Sequence, residues 1–326
     1  MRLGKPAFGA VLLAIAGPAM AAVDDAQQPM PAGVIEQPSQ AMDETSERSF
    51  REGFRSFQRR DFHAAYEYWR NLAEEGQPAA QFNVGVLTEL GRGIKPDFKE
   101  AAAWYERSAL RGTPEAMTNL GRLYVFGKGV KRDHAKGFDW FRQGAELDFP
   151  EAQYNLCVAH VHGYGTAASP QQAAQWCRKS ADRGYRPAQF DIAGFYYRGY
   201  GVARDLHEAA TWYYRAGNAG DPLAQYNLGL MRAKGEGVRQ DPAEAARWIR
   251  RAADQGLTRA QVQLGLMYLN GAGVVADRIT ALMWFEIAAQ RGDKEGVAYR
   301  DRLRRQVTVA ERDKARDRAI AFKPKS

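Results

Sequence analysis

From about residue 47 onward, apolar residues recur at steps of three and four, the spacing of a helix with one buried face. Ala245, Trp248, Ile249, Ala252 and Ala253 form one such stripe. A different apolar stretch, Ala224-Gln225-Tyr226-Asn227-Leu228-Gly229-Leu230-Met231, stands just before it. The two read as a pair of helices joined by a short loop. Gly235 and Gly237 stop the first helix and Gly256 stops the second, because a glycine past a helix end adopts the left-handed conformation that satisfies the last carbonyls. The small Gly229 inside the first helix lets its neighbour approach closely. Asp241 is an N-cap, Pro242 sits at the first helical position, and Glu244 has capping-box spacing. Asp97 with Glu100 and Asp205 with Glu208 repeat that spacing, and Ser169-Pro170 does the same work.

The pair recurs every 36 residues: Trp104, Trp140, Trp176, Trp212, Trp248 and Trp284 keep this register, as do Ala80 through Ala260. Two glycine columns, beginning at Gly91 and Gly93, keep it as well. A helix pair of this kind cannot bury its apolar face alone, so the units stack. The expected fold is all-α: a right-handed α-solenoid of 36-residue helix-turn-helix units whose first helices line a concave face.

The ends depart from the register. Residues 1–21 read as a cleavable signal peptide, with Arg2 and Lys5 ahead of an apolar run from Ala7 to Ala16 and the small-residue site Ala19-Met20-Ala21. The expected location is therefore periplasmic or secreted. Residues 22–46, rich in Pro, Gln and Ala, read as a flexible linker. Residues 47–78 hold an N-terminal helix pair, 79–295 six repeats, and 296–326 C-terminal capping helices with a basic tail. Thr308 and Glu311 open the last helix with a capping box.

The formal charge of +8 changes little in this picture, since basic and acidic residues balance from 22 to 299. The excess lies in residues 300–326, with ten Lys or Arg against four Asp or Glu. A neutral repeat surface gives no footprint for nucleic acid.

Candidate chemistry is sparse. The glycine loops follow helices and recur six times, which is capping and not phosphate binding. The column of Asp residues, with Ser169 in its place in the third unit, caps helices and cannot converge on one ion. The five histidines show no metal-ligand spacing, and no nucleophile elbow is present, so no catalytic residue, metal or cofactor is assigned. The Trp column at helical spacing reads as packing between helices.

The motif A-x-[YF]-N-L-G, then G-x-G-V, then D-x-x-x-A-x-x-W, resembles the Sel1-like repeat family, a relative of the tetratricopeptide repeats. The resemblance covers residues 79–295 as six full units, and Phe50 to Gly76 matches by half. It implies an adaptor that holds other proteins, as similar bacterial envelope proteins do. Two alternatives stand beside it: a binder of carbohydrate or cell-wall fragments, and a hydrolase of the β-lactamase type ascribed to cysteine-rich relatives. The third unit departs from the motif, with Cys157 in place of the helix glycine.

Cys157 and Cys177 occupy places that elsewhere hold mainly a small and mainly an aromatic residue, the pairing that close helix contact needs. The two positions are expected to be neighbours, and an oxidising compartment favours a disulfide. The protein-binding patch is expected on the concave face at Tyr154, Phe190, Tyr226, Arg198 and Lys234, suited to a peptide with acidic and apolar side chains.

Overall fold

The structure, a computed structural model, describes residues 33–38 and 42–325. The expected signal peptide, and much of the stretch read as linker, lie outside the described residues. Among those described there are sixteen helices and no strand. The opening pair is α1 (Glu44–Gln58) and α2 (Phe62–Glu74). The first helices of the six following repeats are α3 (Pro78–Leu90), α5 (Pro114–Phe126), α7 (Pro150–His162), α9 (Arg186–Arg198), α11 (Pro222–Lys234) and α13 (Thr258–Asn270). Their second helices are α4 (Phe98–Ala109), α6 (His134–Glu146), α8 (Pro170–Asp182), α10 (Leu206–Asn218), α12 (Pro242–Asp254) and α14 (Arg278–Gln290). Two more, α15 (Lys294–Arg304) and α16 (Val309–Ala321), close the chain. The chain divides within α9 into two compact units, whose described parts fall in residues 33–188 and 189–325.

In both units the hairpin is held by a glycine facing a bulky side chain. In the first, a Cβ on Gly85 would stand 2.7 Å from the Tyr105 ring, and one on Gly121 would stand 2.7 Å from Phe141. In the second, Gly229 meets Ile249 and Gly265 meets Phe285 in the same way. Contacts this short leave no room for a methyl group. The third repeat has cysteines in these two places. Cys157 and Cys177 are joined there, with Cα atoms 5.1 Å apart, within the span a disulfide bridges. Both are fully buried. Thiol labelling of the unfolded, non-reduced protein should find neither thiol free, and reduction should lower stability by about 3 kcal/mol for a sequence separation of 20. Two reactive thiols would contradict the bridge.

The paired loop glycines have two different reasons. Gly127, at φ 69°, ends α5 in the left-handed conformation, and its N–H donates to the Leu123 carbonyl. Gly129 also has positive φ, but a Cβ there would overlap the backbone of Phe98 and Lys99 at the start of α4. It is needed because the loop lies directly against the preceding repeat. The expectation that both glycines simply end a helix is corrected here, since only the first is a cap.

The Asp column caps helices. The Asp133 and Asp241 carboxylates accept the Lys136 and Glu244 amides, and the Ser169 hydroxyl accepts that of Gln172. Glu100 and Glu244 turn forward instead of closing a capping box. Each accepts the indole N–H one turn on, of Trp104 and Trp248, at 3.3 Å. Both halves of a capping box are present in α16, between Thr308 and Glu311. Two histidines also serve packing. His63 and His207 place Nδ1 3.3 Å from the carbonyl oxygens of Gly93 and Gly237 in the next repeat.

At the C-terminal end the basic segment folds onto α14. Leu303, Val307, Ala315 and Ala319 are buried, and the Phe322 ring meets Trp284 edge-on at 5.3 Å. Arg304 pairs with the buried Glu286 at 2.7 Å.

Candidate functional site

The first helices are covered on almost every side, which decides what they present to a partner. Tyr154 retains 7% of its surface, Phe190 1% and Tyr226 1%. Tyr154 packs 5.3 Å from the Tyr185 ring within the first unit, and Phe190 packs 5.6 Å from Tyr213 within the second. These three rings fill the space between a first helix and its neighbours, so the aromatic half of the expected patch is interior. An aromatic side chain on a first helix gains more from that dry contact than from facing water.

The cationic half is accessible. Arg198 and Lys234, both in the second unit, stand half-buried at the C-terminal ends of α9 and α11. Arg198 donates Nε–H to the Gly194 carbonyl at 3.1 Å, and burial draws its proton affinity below the ordinary arginine value. Lys234 lies 3.7 Å from Glu236. Glu236 also accepts the Tyr197 hydroxyl at 3.0 Å. Burial, followed by that bond, pushes the Tyr197 pKa up to about 12.

In the first unit the structure brings together Glu89 and Arg122, which share no register in the sequence. Arg122 pairs with Glu89, at 7% and 4% side-chain exposure. The Tyr105 hydroxyl donates to the other Glu89 oxygen at 2.9 Å. Glu115 and Glu151 begin α5 and α7. Burial raises the pKa of both, Arg122 draws Glu151 partly back, and Glu115 pushes it up again. A carboxyl raised on folding stabilises the fold fully below its ordinary range, and that contribution is lost as pH rises through the folded value. Glu151→Gln should therefore melt higher than the parent at neutral pH, with the gap closing below the glutamate range. A difference independent of pH would contradict the desolvated carboxyl.

The segment before α1 also takes part. The Ile35 N–H donates to Asn83 Oδ1 at 2.7 Å, and Asn83 Nδ2 donates to the Ile35 carbonyl at 3.0 Å. Val34 and Ile35 pack against the apolar clusters around Trp69 and Phe82.

The second helices hold the Trp column. Trp212 keeps 1% of its surface. The Arg215 guanidinium covers its ring at 4.4 Å, and Lys179 covers Trp176 at 4.1 Å. These indoles are packing groups with a cation over the solvent side. No group of His, Cys, Asp and Glu able to hold a metal ion is found among the described residues. No helix among them is long and apolar enough to cross a membrane.

Tandem helical hairpins, most of them closed by a glycine against a large side chain, define a helical-repeat protein of the interaction type. The model of the Sel1 repeat matches residues 50–77, 78–113, 114–149, 150–185, 186–221, 222–257 and 258–293, so the chain belongs to the Sel1 repeat family. The pair that matches the motif by half is thus counted as a repeat of its own. A Sel1 repeat protein from Oxalobacter formigenes is 30% identical, with TM-score 0.68 over 79% of this chain and 76% of that one. A protective antigen of uropathogenic Escherichia coli displaying an SLR fold is 23% identical, with TM-score 0.47 over 85% of this chain and 84% of that one. An immunity protein from Pseudomonas aeruginosa is 20% identical, with TM-score 0.41 over 68% of this chain and 84% of that one. Among curated proteins, none matches the chain.

Proposed function

We propose that this chain is a scaffold that holds protein partners outside the cytoplasm, in the periplasm or after secretion, as part of an envelope-associated complex. Sel1 repeats in general serve protein–protein interaction, and the chain carries seven of them in succession. The observation that carries the reading is the distribution of side chains. The rings of Tyr154, Phe190 and Tyr226 are spent on packing, while Arg198 and Lys234 remain within reach at successive repeats. Such charges steer and orient a partner bearing acidic groups. The extracytoplasmic half rests on the leader pattern of residues 1–21 and on the bridged cysteines.

Two readouts test it. A reporter that folds only in an oxidising compartment, fused after residue 326, should be active with the full chain and inactive without residues 1–21. Reversing both charges, Arg198→Glu with Lys234→Glu, should deplete the partner captured by the folded parent. Unchanged capture by a folded double variant would move the contact elsewhere on the repeats.

A further inference from the structure

At the register position of Asn83 the chain also carries Asn119, Asn155 and Asn227. Fourteen residues before Asn119 and Asn227 stands a tyrosine, Tyr105 and Tyr213, and before Asn155 stands Phe141. Before Asn83 the corresponding residue is Trp69, and its indole N–H is already committed to the Phe50 carbonyl at 3.1 Å. The amide of Asn83 thus meets no hydroxyl from this position. Its oxygen and nitrogen are instead engaged by the N–H and C=O of a single residue, Ile35.

That arrangement copies what one strand residue offers another: donor and acceptor exchanged with the same partner residue. It reads backbone and imposes an extended conformation, so it is indifferent to the side chain at that position. Selection is left to the flanking apolar contacts. Val34 and Ile35 are half-buried on two neighbouring clusters, one centred on Trp69 and one on Phe82, whereas Glu36 and Gln37 are exposed. The resident segment is thus held as a peptide ligand is held, by one bidentate backbone pair and two branched aliphatic side chains.

We propose that Asn83 is a receptor for extended peptide backbone, and that residues 33–37 are its built-in ligand, which a partner segment with two adjacent branched aliphatic residues must displace. This deepens the scaffold reading, on which its second half rests. Only a short connection joins Ile35 to α1, which starts at Glu44, so the resident segment competes at an effective concentration on the order of millimolar. An added peptide of the same sequence should bind the parent weakly and bind a chain with a disabled segment more tightly.

The probe is a fluorescent peptide of residues 31–40, and the protein is the full chain. In the parent, the Ile35 amide should exchange with solvent at least about ten times more slowly than in the free peptide, because it is bonded to Asn83 Oδ1. Ile35→Pro removes that donor without touching the repeats, and this variant should bind the peptide at least about ten-fold tighter than the parent. Adding Asn83→Leu to it should abolish the gain while thermal unfolding and helix content stay those of a folded chain. Free-peptide exchange at Ile35 in the parent would overturn the docking. A protected Ile35 amide with no gain of peptide binding in Ile35→Pro would overturn the receptor role and leave the scaffold reading intact, since Arg198 and Lys234 are tested separately. Protection that grows with protein concentration alongside dimer formation would overturn the in-chain assignment.

Discussion

Replacing Arg122 with leucine should destabilise the first unit by about 3–5 kcal/mol, the range for removing one partner of a buried ion pair. Glu89 would lose its cation at 4% side-chain exposure, with only the Tyr105 hydroxyl left bonded to it. The loss comes mainly from that stranded carboxylate and only secondarily from the missing attraction. Neutralising the second partner should therefore recover much of it, so Arg122→Leu with Glu89→Gln should unfold at a higher urea concentration than Arg122→Leu alone. A single variant within about 1 kcal/mol of the parent would show that water reaches the pair.

Trp212→Ala should cost the second unit about 3–5 kcal/mol. This indole keeps 1% of its surface, donates to Glu208 at 3.1 Å, and carries the Arg215 guanidinium over its ring. Truncation leaves a cavity, a carboxylate that has lost a donor, and a cation without its ring. Trp176 stands at the same register position in the first unit but is only half-buried, so Trp176→Ala should cost distinctly less. Equal losses at the two positions, measured by chemical denaturation, would mean that burial does not set the contribution of this column.

The register made the hairpins, the Asp caps and the cysteine neighbourhood legible, because each repeats at a fixed spacing and follows from local backbone chemistry. The glycine facing Tyr105 was readable for the same reason, and it located Cys157 opposite Cys177. What the sequence hid depends on contacts between elements. Tyr226 and Phe190 sit where a groove-lining residue would sit, yet neighbouring helices close over them, and spacing alone does not report the width of that gap. Gly129 looks like a second stop signal, but its need arises from the backbone of the preceding repeat. Glu89 and Arg122 lie 33 residues apart, off the 36-residue register, so no column announces them. Ile35 and Asn83 are 48 residues apart, and the stretch around Ile35 carries no periodic pattern at all.

The central claim, that the chain works by holding a protein through the ends of its first helices, is tested most directly by where a partner touches it. A photo-activated crosslinking residue placed singly at Arg198, at Lys234 and at the exposed Arg247 of α12, in the organism that makes the chain, reads this position by position. The account predicts one discrete covalent adduct, containing the same second protein, from positions 198 and 234 and none from 247. An adduct from 247 with none from 198 or 234 would contradict it.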